Sequence, residues 1–191
     1  MRMRKTVVAL AVGLFAGASP LNAQGAEFSL GGGLGLPLSD FNDLSKLGWH
    51  GLAAVSFVPT GSPVGVQVDG QFHQFKLDED VVGSDNLKNR FLIGTANAVY
   101  KFKTSETSTV RPYLIAGGGV YNVKTTGEDN LGGVVNTDGS DTKFGINAGA
   151  GFDFKAGSIG AFVEGRFHNV FFPGSDLNFI PITVGIRLGG S

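Results

Sequence analysis

At 191 residues, with a formal net charge of −1 and no cysteine, the chain has no basic surplus for nucleic acid and no thiols for a disulfide framework or thiolate metal site. Beyond its first residues no segment approaches roughly eighteen consecutive apolar residues, which excludes an inner-membrane protein of spanning helices. Its 31 glycines are spread through apolar segments, a distribution that suits strands bending sharply to close a narrow barrel.

Arg2, Arg4 and Lys5 precede an apolar run from Val7 to Ala18, and Leu21-Asn22-Ala23 ends in a small residue. This is the order of a secretory signal, and the run is too short to serve as a bilayer anchor. Cleavage after Ala23 would divide the chain into a signal peptide, residues 1–23, and a mature segment, residues 24–191, which the strand pattern below assigns to an outer-membrane β-barrel. Losing three of the 15 basic groups makes the mature chain more acidic.

Beyond the signal, apolar residues recur at every second position in eight segments, the period of a strand wall between an apolar and a polar medium. The first strand runs from about Glu27 to Leu38, with Phe28, Leu30, Leu34, Leu36 and Leu38 on the lipid side and Glu27 and Ser29 inward. After a polar loop from Ser39 to Gly48, the second runs Trp49 to Val58, with Trp49, Ala53, Val55 and Phe57 outward. It turns tightly through Pro59-Thr60-Gly61-Ser62-Pro63, a cluster typical of turns. The third, Val64 to Phe75, sets Val64, Val66, Val68 and Phe72 against Gln67, Asp69, Gln71 and His73.

An acidic loop, Lys76 to Asn89, leads to the fourth strand, Arg90 to Phe102, with Leu92, Ala96, Ala98, Tyr100 and Phe102 outward and Thr95, Asn97 and Lys101 inward. The fifth, Arg111 to Lys124, has an ambiguous phase because Gly117-Gly118-Gly119 carries no side chains; Tyr113, Ile115 and Tyr121 are assigned outward. The longest loop, Thr125 to Asp141, precedes the sixth strand, where Phe144, Ile146, Ala148, Ala150, Phe152 and Phe154 share one face. In the seventh, Ile159 to Phe171, Ala161, Val163 and Phe167 face outward and Glu164, Arg166 and His168 inward. The eighth, Phe179 to Leu188, turns Ile180, Ile182, Val184, Ile186 and Leu188 to the lipid and Thr183 and Arg187 inward.

Eight such segments behind an export signal predict an all-β, eight-stranded antiparallel up-and-down transmembrane β-barrel, with short periplasmic turns and longer extracellular loops. Orienting the chain by loop length alone puts Phe57, Tyr100, Phe102, Tyr113, Phe152 and Phe154 near the periplasmic rim. Trp49, Phe72, Tyr121, Phe144 and Phe167 then fall near the outer rim, so two aromatic belts emerge at the levels where interfacial anchors belong.

Val68-Asp69-Gly70-Gln71-Phe72-His73-Gln74 is echoed by Val163-Glu164-Gly165-Arg166-Phe167-His168-Asn169. Duplication of a four-stranded unit and convergence of similar strands both account for this. With that second segment and Arg111-Pro112-Tyr113-Leu114 leading into Gly117-Gly118-Gly119-Val120-Tyr121, the mature chain resembles the small outer-membrane β-barrel domain family. That family includes barrels similar to the membrane domain of outer membrane protein A. The resemblance implies an architecture but not an activity, because members serve as membrane-integrity proteins, adhesins, narrow channels or proteins of unknown role. Gly190 and Ser191 stand where such families close with an aromatic residue, which implies a weak or diverged insertion signal. The peptidoglycan-binding module attached to some relatives is not expected after Leu188.

Asp69, Lys101, Asp153, Glu164, Arg166 and Arg187 are the candidate site: charged groups inside a narrow barrel whose side chains nearly fill it, and which must therefore meet as an ionic network. His50, His73 and His168 invite comparison with outer-membrane lipid-modifying enzymes. No serine stands at a recognisable spacing from them, so no catalytic residue is assigned. No metal site is assigned either, since His73 and His168 belong to opposing strands without a carboxylate at ligand spacing. The loop acids Asp78, Glu79, Asp80, Asp85, Glu128, Asp129, Asp138 and Asp141 match no calcium loop and read as solvated charge. Gly31-Gly32-Gly33-Leu34-Gly35 precedes no helix and is not a phosphate cradle.

The expected role is structural or that of a narrow pore with a polar, plugged interior, not an enzyme and without a cofactor. The expected partners are membrane lipid, lipopolysaccharide and the outer-membrane insertion machinery, with no nucleic acid and a monomeric state. Two alternatives use other parts of the chain: a surface adhesin acting through the long loops, and a carrier of small hydrophobic molecules opening laterally at strands one and five. The rival fold is a soluble barrel of the lipocalin kind, with its apolar rows turned inward.

Overall fold

The computed structural model describes residues 26–39, 41–42, 45–77, 88–105, 107–128, 134–156, 159–174 and 176–189; the signal peptide assigned to residues 1–23 lies outside them. Eight strands follow in chain order: β1 (Ala26–Leu38), β2 (Gly48–Phe57), β3 (Val64–Lys76), β4 (Lys88–Lys101), β5 (Val110–Glu128), β6 (Val134–Ala156), β7 (Ile159–Val170) and β8 (Leu177–Gly189). Each pairs antiparallel with its sequence neighbours, and β1 closes on β8 from Glu27↔Gly189 to Leu38↔Asn178. Closure pairs the backbone groups that an open sheet edge would leave bare in hydrocarbon.

Side-chain alternation decides which medium lies on which side. On β3, Val64, Val66 and Val68 are 50%, 59% and 62% exposed, while Gln67, Asp69 and Gln71, at the alternate positions, are buried. The apolar rows therefore face outward and the ionisable groups inward, the reverse of a lipocalin. β1 pairs with β2 and β8, and β5 pairs with β4 and β6, so both glycine-rich strands are held in the wall from two sides.

Two expectations are corrected. On β5, Tyr113, Ile115 and Tyr121 are buried inside, and Leu114, Ala116 and Val120 face the lipid. A tyrosine is stable in the lumen when its hydroxyl finds a partner, and here Tyr113 donates to Glu164 while Tyr121 meets His168. Neither tyrosine belongs to an aromatic belt. The belts keep exposed Phe57, Tyr100, Phe102, Phe152 and Phe154 at one rim and Trp49, Phe144 and Phe167 at the other.

The second correction is the connection placed at residues 125–141. After a register shift between Lys124 and Thr126, the ladder resumes at Thr126↔Asn136 and runs to Glu128↔Val134. Its Gly, Asn, Asp and Thr residues suggest a loop, but a two-stranded ribbon pairs the backbone regardless of side chain. As a result β5 and β6 reach 19 and 23 residues.

Candidate functional site

The lumen is filled in three layers, and the middle one is ionic. Asp69 on β3 and Glu164 and Arg166 on β7 face one another because strands four apart in an eight-stranded barrel lie across the lumen. Arg166 Nη1 donates to Asp69 Oδ2 at 2.9 Å, and Nη2 and Nε donate to Glu164 Oε1 at 2.6 and 3.0 Å. Asp69 also accepts from Gln67, Gln71, Thr95 and Asn97, at 2.7–3.1 Å. Tyr113 donates to Glu164 Oε2 at 2.9 Å. Arg166 is 1% exposed; a charge so deep persists only with this density of partners.

Towards the periplasm, four different strands each supply one charge. Lys101 on β4 lies 2.5 Å from Glu27 on β1 and 3.5 Å from Asp153 on β6. Arg187 on β8 lies 3.4 Å from Glu27 and 3.0 Å from Asp153, with its guanidinium 4.9 and 4.8 Å from the ring centres of Tyr113 and Phe162. The structure thus divides the six charged residues singled out from the sequence between two layers. It adds Glu27, whose inward position the alternation gives, and Tyr113, which the β5 phase error put outside.

The outermost layer is aromatic and uncharged in its bonding. His50 and His73 stack at 4.8 Å, His73 lies 6.3 Å from His168, and His168 stacks on Phe179 at 4.8 Å. One nitrogen of each has a partner: His50 Nε2 with Thr183 Oγ1, His73 Nε2 with Gln71 Oε1, and His168 Nδ1 with Tyr121 Oη, all at 2.8–2.9 Å. Above them Phe41, Phe75, Phe91, Phe179, Tyr121, Ile93 and Val170 form one buried cluster. Phe41 comes from the connection between β1 and β2 and meets Phe75 edge-on at 5.1 Å. The histidines meet even though they belong to different, partly opposing strands, because a narrow barrel brings opposite walls within reach. Near-parallel rings hold the remaining nitrogens of His50 and His73 in separate planes, and among the described residues no three ligating side chains converge on an ion.

Glycines on the inner wall make room for these rings. A β-carbon at Gly48 would sit 2.6 Å from Phe75, and one at Gly151, directly across the ladder from Tyr113, would sit 2.5 Å from its hydroxyl. Ring against glycine is a recurring way to fill a curved sheet. Of the loop acids, Asp141 is exposed and 3.9 Å from Lys143. Asp78, Glu79, Asp80, Asp85 and Asp129 lie outside the described residues, as do the side chains of Glu128 and Asp138.

An apolar outer wall, a polar lumen and eight antiparallel strands agree with what the sequence matches over residues 7–187, the outer membrane protein beta-barrel domain. The chain belongs to that family. Members of this family are outer-membrane β-barrels, and that is where this one resides. Among solved structures, Neisserial surface protein A shares 15% identity at a TM-score of 0.62, over 86% of this chain and 97% of its own. The attachment invasion locus protein Ail of Yersinia pestis, crystallised with the heparin analogue sucrose octasulfate, shares 16% identity at 0.50, over 86% and 99%. The outer membrane enzyme PagL shares 17% identity at 0.51, over 85% and 98%. At these identities the likeness is one of fold, and it spans adhesin-like and enzymatic barrels alike. No curated protein matches the sequence.

Proposed function

We propose that this barrel is a sealed structural element of the outer membrane, non-catalytic and non-conducting, working as a monomer. The observation that carries the reading is the lumen itself: Arg166 at 1% exposure and His73 and His168 at 0% occupy the cross-section that a channel would leave to water. Phe41 and its cluster close the outer mouth above them. Each histidine is engaged by threonine, glutamine or tyrosine inside the wall, while a lipid-modifying centre needs a nucleophile, a base and an orienting group facing its substrate. Acyl chains and lipopolysaccharide meet the outward rows and the outer belt, and insertion machinery delivers the chain there.

Reconstitution into planar bilayers tests this. The reading expects no stepwise current across physiological voltages, and ohmic steps from the wild-type protein would overturn it. A second reading is favoured by one feature: β5 and β6 reach 19 and 23 residues against 10–14 for the others. Such a ribbon is suited to surface binding, and trimming residues 126–136 would abolish attachment to a host or neighbouring surface while leaving the barrel folded.

A further inference from the structure

A cavity of about 340 Å³ opens at the periplasmic end, between the β2–β3 turn and the β4–β5 turn. That size falls within the range of small-ligand sites, roughly 300–1,000 Å³. One wall is stiff. Pro59 and Pro63 flank Gly61 at φ 79°, Ser62 N donates to Pro59 O at 2.9 Å, and Lys101 N donates to Pro63 O at 2.7 Å. The other walls carry Lys101, Lys103 and Arg111, with Glu27 the acid among the lining residues.

Among the described residues the bases there outnumber the acids. Arg111 stands directly across the ladder from Asp153, the usual place for an ion pair, yet Asp153 is held by Lys101 and Arg187. Among the described residues neither half-buried Arg111 nor exposed Lys103 has an acidic partner. Among the described residues two acids, Glu27 and Asp153, face four bases, Lys101, Lys103, Arg111 and Arg187, which leaves Lys103 and Arg111 at the cavity wall without a described acid. Depth supplies the second observation. Phe102 lines the cavity and packs edge-on against Tyr100 at 5.0 Å, both exposed in the periplasmic aromatic belt. Such belts mark the headgroup level of a bilayer, where basic pockets meet lipid phosphates.

We propose that this cavity binds the phosphate of a glycerophospholipid headgroup from the periplasmic leaflet, through Arg111 and Lys103. The guanidinium fork of Arg111 takes two phosphate oxygens, Lys103 neutralises the remaining charge, and the glycerol lies against the β2–β3 turn. Lys101 stays with Glu27 and does not exchange partners.

The test is native mass spectrometry of the folded, detergent-solubilised barrel with three probes: short-chain phosphatidylglycerol, the matching diacylglycerol, and sodium phosphate. Wild type should retain phosphatidylglycerol, ignore diacylglycerol and bind phosphate far more weakly. Arg111→Gln with Lys103→Gln should lower lipid retention by at least about tenfold per cation, with the heat-modifiable band unchanged. Should the double variant fail to fold, Lys103→Gln alone, at an exposed side chain, carries the prediction of tenfold loss. Equal retention by wild type and variant, or equal retention of diacylglycerol, would overturn the site. Sodium phosphate displacing the lipid at equal concentration would overturn the headgroup as its ligand and leave soluble phosphate.

Discussion

The two halves of the lumen solve the same problem, filling a narrow tube, with different chemistry. The outer half uses rings: three histidines and four phenylalanines in contact, each histidine bonded to a neutral partner. The periplasmic half uses ions drawn singly from β1, β4, β6 and β8, two of each sign. Rings exclude water and need few partners, so they form a dry seal. Charges need either each other or water, so they belong next to an opening. Arg166 joins the halves, and its two carboxylates make the central layer the most costly place to remove an atom.

That ranking can be broken by substitution. Arg166→Ala strands Asp69 and Glu164 without a cation and should lower stability by about 3–5 kcal/mol, read as urea unfolding of the barrel in lipid vesicles. A loss below about 1 kcal/mol would mean that water compensates these acids and that the centre is wet. Phe179→Ala removes the ring that contacts His73, His168, Phe75 and Phe91. It should cost about 3 kcal/mol and admit small currents in the bilayer assay where wild type shows none.

Smaller effects sharpen the picture. Tyr113→Phe deletes one bond to Glu164 and leaves its carboxylate partly unsatisfied, for a loss of about 1–3 kcal/mol; an unaltered midpoint would place the tyrosine outside the wall after all. Asp141→Ala, at a 3.9 Å surface pair with Lys143, should change the midpoint by less than about 0.5 kcal/mol.

How much of this the sequence displays depends on what each strand carries. On β3 and β7 valine and phenylalanine alternate with Gln, Asp, Glu and Arg, and the phase is unambiguous, so Asp69, Glu164 and Arg166 can be turned inward from the pattern alone. On β5 three consecutive glycines erase the phase, and tyrosine is at home on either face until its hydroxyl partner is known. Tyr113 meets Glu164 fifty-one positions away, a contact no local period encodes. The histidine layer is hidden for a related reason. The register places His50, His73 and His168 near the outer rim, but only the closed ladder shows that they come within ring contact of one another. The echo between Val68–Gln74 and Val163–Asn169 does map onto opposite walls, with His73 and His168 at equivalent places in the two strands and 6.3 Å apart. The extended β5–β6 ribbon is illegible because Gly, Asn, Asp and Thr are loop residues by composition, while strand pairing there depends on backbone alone.

The sealed centre can be probed directly because the chain has no native cysteine. Ala54 points inward at 2% exposure and pairs across the ladder with Asp69, which makes Ala54→Cys a single thiol in the middle layer. With the folded barrel in sealed vesicles, a charged, membrane-impermeant thiosulfonate should leave that thiol unmodified from either face and label it fully after boiling. Rapid modification of the folded protein would show water and ions passing through the centre and would contradict the account.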